Sequence, residues 1–546
     1  MSDALTMFFK WEKETPDHLL FHQPLTGESR TWTYAQAGQE VRKIAATLMS
    51  KDLPPRSRIA ILSKNCAHWM MADLAIMMAG HISVPLYPTL SAHSIGQILN
   101  HSEPKVIFVG KLDDYANQKD GIPSDIQKIS FDDYGIKDGW LWSDLLAKHK
   151  PIEIIQPFDR NEVATIKYTS GTTGTPKGVM ISMHAIDTAL GHAFPILKTG
   201  NNDRFFSYLP LSHIAERMLV EFGVIYNGAS VYFSESLDKF AANLAYAQPT
   251  VFLAVPRIWT RFKEKVLEKI PQKRLDLMLS IPGINSLVRK TIRKNLGLSK
   301  CRWAVTGASP ITLELLAWYQ KLGITIVEVY GMTENLAWAT SNVERLKFGT
   351  IGVPWTNVRF RLSAEGEIQT KSDAMMLGYY KSPELTKDTF TNDGFLKSGD
   401  VAQIDPDGFI TITGRIKDLF KTDKGKYVAP LPIELKLSSN TDIEQVCVVG
   451  MGVPQPMALV VLSASGKSKN KEEITKSLSK TLDVVNKEIE SYEQLEAAVI
   501  MSSDWTIENG LLTPSLKVKR NEVEKIYLSK YPYWYSVGKK VVWESD

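Results

Sequence analysis

Two rhythms of apolar and polar positions divide the chain. After Thr33, a residue type suited to a helix N-cap, Val41, Ile44, Ala45 and Leu48 recur at helical spacing, which predicts a helix. The apolar run at 58–62 (RIAIL) reads as a strand, a helical run extends through Met78, and HISVPLY (81–87) is again strand-like. A helix over Ser94–His101 then leads to the strand KVIFVG at 105–110. The same alternation returns as a helix over Phe240–Ala247, strands over Thr250–Val255 and Cys301–Thr306, a helix over Pro310–Leu322 and a strand over Ile324–Tyr330. Strands that alternate with helices predict a largely parallel sheet with helices packed on its faces.

From Val358 the period drops to two. VRFRL and GEIQTK are split by Ala364-Glu365-Gly366, and Asp405-Pro406-Asp407-Gly408 marks a second hairpin, so antiparallel sheet is expected there. Beyond 417, IEQVCVVG, ALVVLSA and AAVIM read as strands, and Ile474, Leu478, Leu482, Val485 and Ile489 line one face of a helix. The expected fold is therefore α/β. A large N-terminal domain (1–416) combines parallel-rich α/β subdomains with an antiparallel β subdomain, and a small α+β domain of roughly 130 residues (417–546) follows.

Composition narrows the function classes. The 546 residues carry 64 basic and 60 acidic side chains, a formal charge of +4, with no long basic block, which argues against nucleic acid as a partner. Cys66, Cys301 and Cys447 lie far apart, without zinc or redox spacing, as expected for thiols in a reducing compartment. The first residues lack the basic start and apolar core of a signal peptide, and the most apolar stretch, Trp69–Leu86, is broken by Asp73, Gly80, His81 and Pro85. A span needs roughly 20 apolar residues. The expectation is a cytoplasmic protein that is not integral to a membrane.

Five short stretches carry chemistry. YTSGTTGTPKGV (168–179) packs hydroxyls (Thr169, Ser170, Thr172, Thr173) among glycines (Gly171, Gly174, Gly178) and ends near Lys177. Glycines let backbone N–H groups turn towards an anion, hydroxyls add donors, and the lysine adds charge. The G-K-[ST] ending of a Walker A loop is missing. TGASP (306–310) sits at a strand-to-helix junction, where parallel sheets bind ligands. YGMTE (330–334) follows an apolar strand whose end can hold Thr333 and Glu334 rigidly. KSGDVAQIDPDGFITITGRIKDLFKT (397–422) contains Asp400 and Arg415, and NGLLTPSLKVKR (509–520) contains Lys517 and Lys519.

In these stretches, taken in order, the sequence resembles the adenylate-forming superfamily of acyl-CoA synthetases, luciferases and peptide-synthetase adenylation domains. The resemblance covers most of the chain. It implies ATP, Mg2+ and coenzyme A, with Thr169, Ser170, Gly171, Thr172, Thr173, Gly174 and Lys177 on the phosphates. It places Gly307, Ala308, Ser309 and Tyr330 at adenine, Thr333 at the AMP phosphate, and Glu334 with Thr169 at magnesium. Asp400 would accept the ribose hydroxyls, and Arg415 would contact ribose or phosphate. Lys517, preferred over Lys519 by the family alignment alone, would be a mobile lysine bridging carboxylate and α-phosphate. The small domain would rotate about Lys417, bringing Gly425 and Lys426 towards CoA.

LPLSHIAER (209–217), AVPRIWTRF (254–262) and GRIKDLFKT followed by GKYVAP resemble the long-chain acyl-CoA synthetase branch. That likeness implies a medium- to long-chain fatty acid, activated as acyl-AMP and passed to CoA, with His213 bordering the acyl pocket. An acyl-AMP former serving a carrier protein and a non-catalytic acyl or nucleotide sensor are the rival readings. Arg217 stands where some long-chain relatives carry a gating tryptophan. The aromatic run Tyr527, Tyr531, Tyr533, Trp534 and Tyr535 suits either a tail packed on its own domain or a peripheral membrane contact. Neither chain length nor oligomeric state is readable from the pattern.

Overall fold

Thr33 caps the helix Tyr34–Met49 through a capping box: its side chain accepts from the Gln36 N–H, and the Gln36 side chain accepts from the Thr33 N–H. Val41, Ile44, Ala45 and Leu48 are buried along that helix, as their spacing predicts. The computed structural model describes residues 3–153, 159–169, 176–513 and 516–545.

Two large sheets organise the first four hundred residues. One has nine strands, and its centre, from Ile326–Tyr330 through Trp303–Thr306, Val251–Leu253, Arg204–Ser207 and Ser230–Phe233 to Leu19–Leu25, is paired in parallel. The other has eight strands, with Ile82–Leu86, Arg58–Leu62 and Val106–Val109 parallel at its heart. The helix Ala67–Met78 packs against strands of both sheets, and all of its residues are buried, Asp73 included. A helix apolar on every side belongs in such an interior layer. At one edge of the eight-stranded sheet the hairpin Val163–Thr169 and Lys177–Ser182 adds antiparallel pairing, and the short strand Gly378–Tyr379 joins Lys177–Ser182.

A four-stranded antiparallel sheet follows, ordered Arg359–Leu362, Glu367–Lys371, Leu396–Ile404, Ile410–Arg415. Both expected hairpins are present in it. The helix expected from Pro310 begins instead at Leu313. Thr312 is extended, and its side chain accepts from the Leu315 N–H, so the cap fixes the start and leaves 307–311 as a loop.

After residue 417 a four-stranded mixed sheet forms from Ile443–Val449, Met457–Leu462, Ala497–Ile500 and a strand the pattern did not anticipate, Val541–Trp543. The helix Lys471–Lys487 buries Ile474, Leu478, Leu482 and Val485 against one face. Tyr527, Tyr531 and Trp534 are buried against the other, so the aromatic tail packs on its own sheet and leaves Tyr533 the exposed ring.

Candidate functional site

Two neighbouring parallel strands, Trp303–Thr306 and Ile326–Tyr330, end at the same cleft, the position where open α/β sheets bind ligands. Gly307-Ala308-Ser309 follows the first, and Ala308 sits at φ +66°. Gly331 to Glu334 follows the second. A Cβ on Gly331 would lie 2.4 Å from the Ala337 carbonyl carbon, so this turn admits glycine alone. The Asn335 side chain accepts from the Met332 N–H and tightens a single 3-10 turn over Thr333–Asn335. Glu334 is thereby buried, and the Tyr379 hydroxyl donates to its Oε1 at 2.7 Å. Burial raises the Glu334 carboxyl above its ordinary range, opposed by the Tyr379 hydrogen bond and more weakly by the Lys177 charge.

Tyr379 arrives from the opposite sheet, on the strand beside Lys177–Ser182, and the Lys177 ammonium stands 5.7 Å from its ring. Thr169 and Lys177 face each other as Cα partners, the last pair before the segment that connects their two strands. Ser170, Gly171, Thr172, Thr173 and Gly174 lie outside the described residues.

Asp400 and Arg415 are register partners across Leu396–Ile404 and Ile410–Arg415. The Arg415 Nε donates to Asp400 Oδ1 and the Tyr330 hydroxyl to Oδ2, each at 2.7 Å. The Asp400 charge raises the Arg415 guanidinium still further. Half-buried Lys517 comes from the small domain, its backbone paired with Thr513. Burial and the Arg415 charge push its ammonium down to about 8, with Asp400 opposing. Lys517 also depresses His213. Lys519 lines the same cleft and occupies the N-cap position of the helix Arg520–Tyr527. Lys517 is thus the lysine that feels the Arg415 and Asp400 charges and acts on His213.

Thr169, Lys177, His213, Gly307, Ala308, Ser309, Tyr330, Thr333, Glu334, Asp400, Arg415 and Lys517 all line this one cleft, whose volume is ≈ 2740 Å³. Gly425 and Lys426 do not line it. They are exposed on the turn between Phe420–Lys421 and Tyr427–Val428.

Beneath His213 lies a polar layer that periodicity could not reveal. The His213 Nδ1 accepts from the Ala215 N–H at the start of the helix Ile214–Glu216. Burial, aided by the Lys167 and Lys517 charges, pushes its imidazole down to about 3, so it is neutral at physiological pH. Arg217 is 2% exposed, with Nη2 at 2.8 and 2.7 Å from the two Asp73 carboxylate oxygens and Nε 3.4 Å from Glu221. It is pinned inside the protein. The Lys167 ammonium is buried in the same region with no hydrogen-bond partner among the described residues, while burial pushes the Glu216 carboxyl up to about 8. Tyr379 lines the cleft but lies in none of the motifs, well apart from those at 330–334 and 397–422. Lys167, in an apolar strand directly before the motif at 168–179, belongs to the buried layer and not to the cleft lining.

Known proteins resemble this chain along nearly its whole length. Residues 8–380 match the AMP-binding enzyme family and residues 417–536 match the AMP-binding enzyme C-terminal domain. The chain is 28% identical to "Long-chain-fatty-acid--CoA ligase FadD15" of Mycobacterium bovis, covering 96% of both chains. It is 30% identical to "Long-chain-fatty-acid--CoA ligase 5" of Rattus norvegicus, over 92% of this chain and 84% of that protein. Among solved structures, the adenylation domain of a carboxylate reductase from Mycobacterium chelonae superposes with a TM-score of 0.81 at 22% identity, covering 98% of this chain and 91% of that one.

Proposed function

The chain belongs to the AMP-binding enzyme family, and from that premise we propose that it is an AMP-forming acyl-CoA ligase acting on medium- to long-chain fatty acids. The observation that carries this reading is the convergence of Lys177, Glu334, Asp400, Arg415 and Lys517, from three sheets and a separate C-terminal domain, on one cleft. Relatives named long-chain-fatty-acid–CoA ligases, matched along nearly the whole chain, support the choice of acid.

A carboxylate is a poor acyl donor because its leaving group would be an oxide ion. Joining it to AMP creates a mixed anhydride with a good leaving group. In the first half-reaction the carboxylate oxygen attacks the α-phosphorus of ATP, and pyrophosphate departs in line. Both reactants are anionic, so positioned cations and N–H donors supply most of the catalysis. Asp400 has used one lone pair on each oxygen, for Tyr330 and Arg415, and keeps one on each for the ribose hydroxyls. Lys177 and the loop before it hold the β- and γ-phosphates, and Thr333 contacts the α-phosphate. Lys517 bridges the attacking carboxylate and the α-phosphate, neutralising charge as the bond forms.

Glu334 and Thr169, which line the same cleft, offer one buried carboxylate and a hydroxyl. That donor set fits Mg2+, which takes one or two carboxylates and completes its shell with water and nucleotide phosphates. When bound there it supplies charge neutralisation on the phosphates.

In the second half-reaction the CoA thiolate attacks the acyl carbonyl and AMP leaves. Rotation of the domain 417–546 about Lys417 withdraws Lys517 and brings Gly425 and Lys426, exposed in the present arrangement, towards the pantetheine.

The test is a panel of acids from short to very long chain, assayed with ATP, Mg2+ and CoA or a carrier protein. The reading predicts equimolar AMP, pyrophosphate and acyl-CoA, with kcat/KM highest for medium to long chains. Acyl transfer to the carrier protein alone, or acid binding without pyrophosphate release, would refute it.

A further inference from the structure

The helices Gln272–Ser280 and Ile284–Asn295 form a hairpin on the surface of the large domain, joined by Ile281-Pro282-Gly283. Leu275, Val288 and Ile292 are its buried contacts with the body. Four other large apolar side chains point outward: Leu277 is 62% exposed, Leu287 66%, Ile284 42% and Ile281 38%. Single exposed leucines are ordinary, but four within eleven residues at one end of a helical hairpin form a patch.

Cations surround it. Lys273 and Arg274 precede Leu277 by four and three residues, and Lys290 and Lys294 follow Leu287 by three and seven, so each pair shares its leucine's helix face. None of these four forms an ion pair among the described residues. The hairpin's one acidic residue, Asp276, is engaged by Lys321 at 3.1 Å. The patch therefore joins exposed apolar side chains to uncompensated positive charge.

We propose that this hairpin docks the protein on an anionic phospholipid bilayer, its leucines and isoleucines entering the headgroup–acyl boundary and its cations meeting lipid phosphates. Charge complementarity decides the occupant. A second copy paired about a two-fold axis would set the same cations against each other. A nucleic acid would use the cations but leave the aliphatic tips exposed. Trp318 Nε1 donates to Gln272 Oε1 at 3.0 Å, tying the hairpin to the helix Leu313–Lys321, whose first residue lines the cleft. Docking would bring that wall of the cleft to the surface from which a bilayer-dissolved acid must come. The docking itself does not depend on the ligase reading, and it is measured without substrate, so the two can fail separately.

The test is flotation of the full chain with vesicles of pure phosphatidylcholine or of phosphatidylcholine with phosphatidylglycerol, at low and high salt. Binding is expected to the anionic vesicles and to weaken at high salt. Leu277→Ser with Leu287→Ser, and separately Lys290→Ala with Lys294→Ala, should each weaken binding about tenfold or more, with the thermal transition unchanged. No binding to anionic vesicles, equal binding to neutral ones, or unchanged binding by the leucine variant would overturn the proposal. So would loss of self-association, or of RNA binding, as the only consequence of the substitutions.

Discussion

The nucleotide cleft and the polar layer beneath His213 are both built around charged side chains, yet they are built to opposite ends. In the cleft each group is partly engaged. Asp400 holds Tyr330 and Arg415 and keeps accepting capacity, Glu334 holds the Tyr379 hydroxyl, and Lys517 enters from a different domain with its ammonium pushed down to about 8. In the layer, Arg217 and Asp73 are sealed together, with Glu221 close by and neither acid exposed. Residue type does not separate the two regions. Access and spare hydrogen-bonding capacity do.

Substitutions should therefore split cleanly between chemistry and stability. The largest effect belongs to Lys517→Ala. It should slow acyl-AMP formation by about 10²–10³-fold while sparing thioesterification of preformed acyl-AMP and leaving the thermal transition in place. Single-turnover assays of the two half-reactions check this, and equal loss of both would remove Lys517 from its assigned role. The same lysine predicts a pH limb. Its charged form is lost as pH rises through about 8, so kcat/KM for adenylation should fall above that value and Lys517→Arg should flatten the decline.

Arg217→Ala should do the reverse. It strands Asp73 in the interior and should cost about 3–5 kcal/mol, read by denaturant unfolding. Glu216 sharpens the contrast through its own pH dependence. Its folded value of about 8 lies above the ordinary 4.5, so the native state keeps a proton that the unfolded chain releases. Stability from this group is complete at low pH and is lost as pH rises from about 4.5 to about 8. Glu216→Gln should match the wild type near pH 5 and exceed it at pH 8.5, by an amount on the order of a few kcal/mol.

Smaller effects fall within the cleft. Asp400→Asn should raise the KM for ATP and lower kcat/KM about 10–100-fold, the cost of a charged acceptor. Tyr379→Phe frees one Glu334 oxygen and should change kcat/KM only about fivefold, seen best in a Mg2+ titration.

The two regions also differ in how far they could be read in advance. Periodicity exposed the strand–helix alternation, Thr33 as a cap and the antiparallel hairpins after Val358, because local hydrogen bonding and one-sided burial write those patterns directly. The cleft was legible because its glycines and hydroxyls cluster in short stretches at strand ends. Tyr379 was not, since its strand serves the site only by pairing with Lys177–Ser182 across a long connection. The polar layer was hidden for the same reason. Asp73 sits in a helix that otherwise reads as pure core, and Lys167 in an apolar strand, and nothing local announces that they meet Arg217. The loop before helix Leu313–Lys321 was misjudged because Pro310 suits a first turn as well as a loop, and the hydroxyl of Thr312 decided between them.

The central claim, that one cleft couples an acid to AMP before any thiol is needed, is tested most directly by measuring pyrophosphate release from ATP and hexadecanoate, with and without CoA. The account predicts an acid-dependent burst of about one pyrophosphate per active site in the absence of CoA, and continuous turnover to AMP and acyl-CoA once CoA is added. Release of ADP and phosphate, or a burst that occurs without the acid, would contradict it.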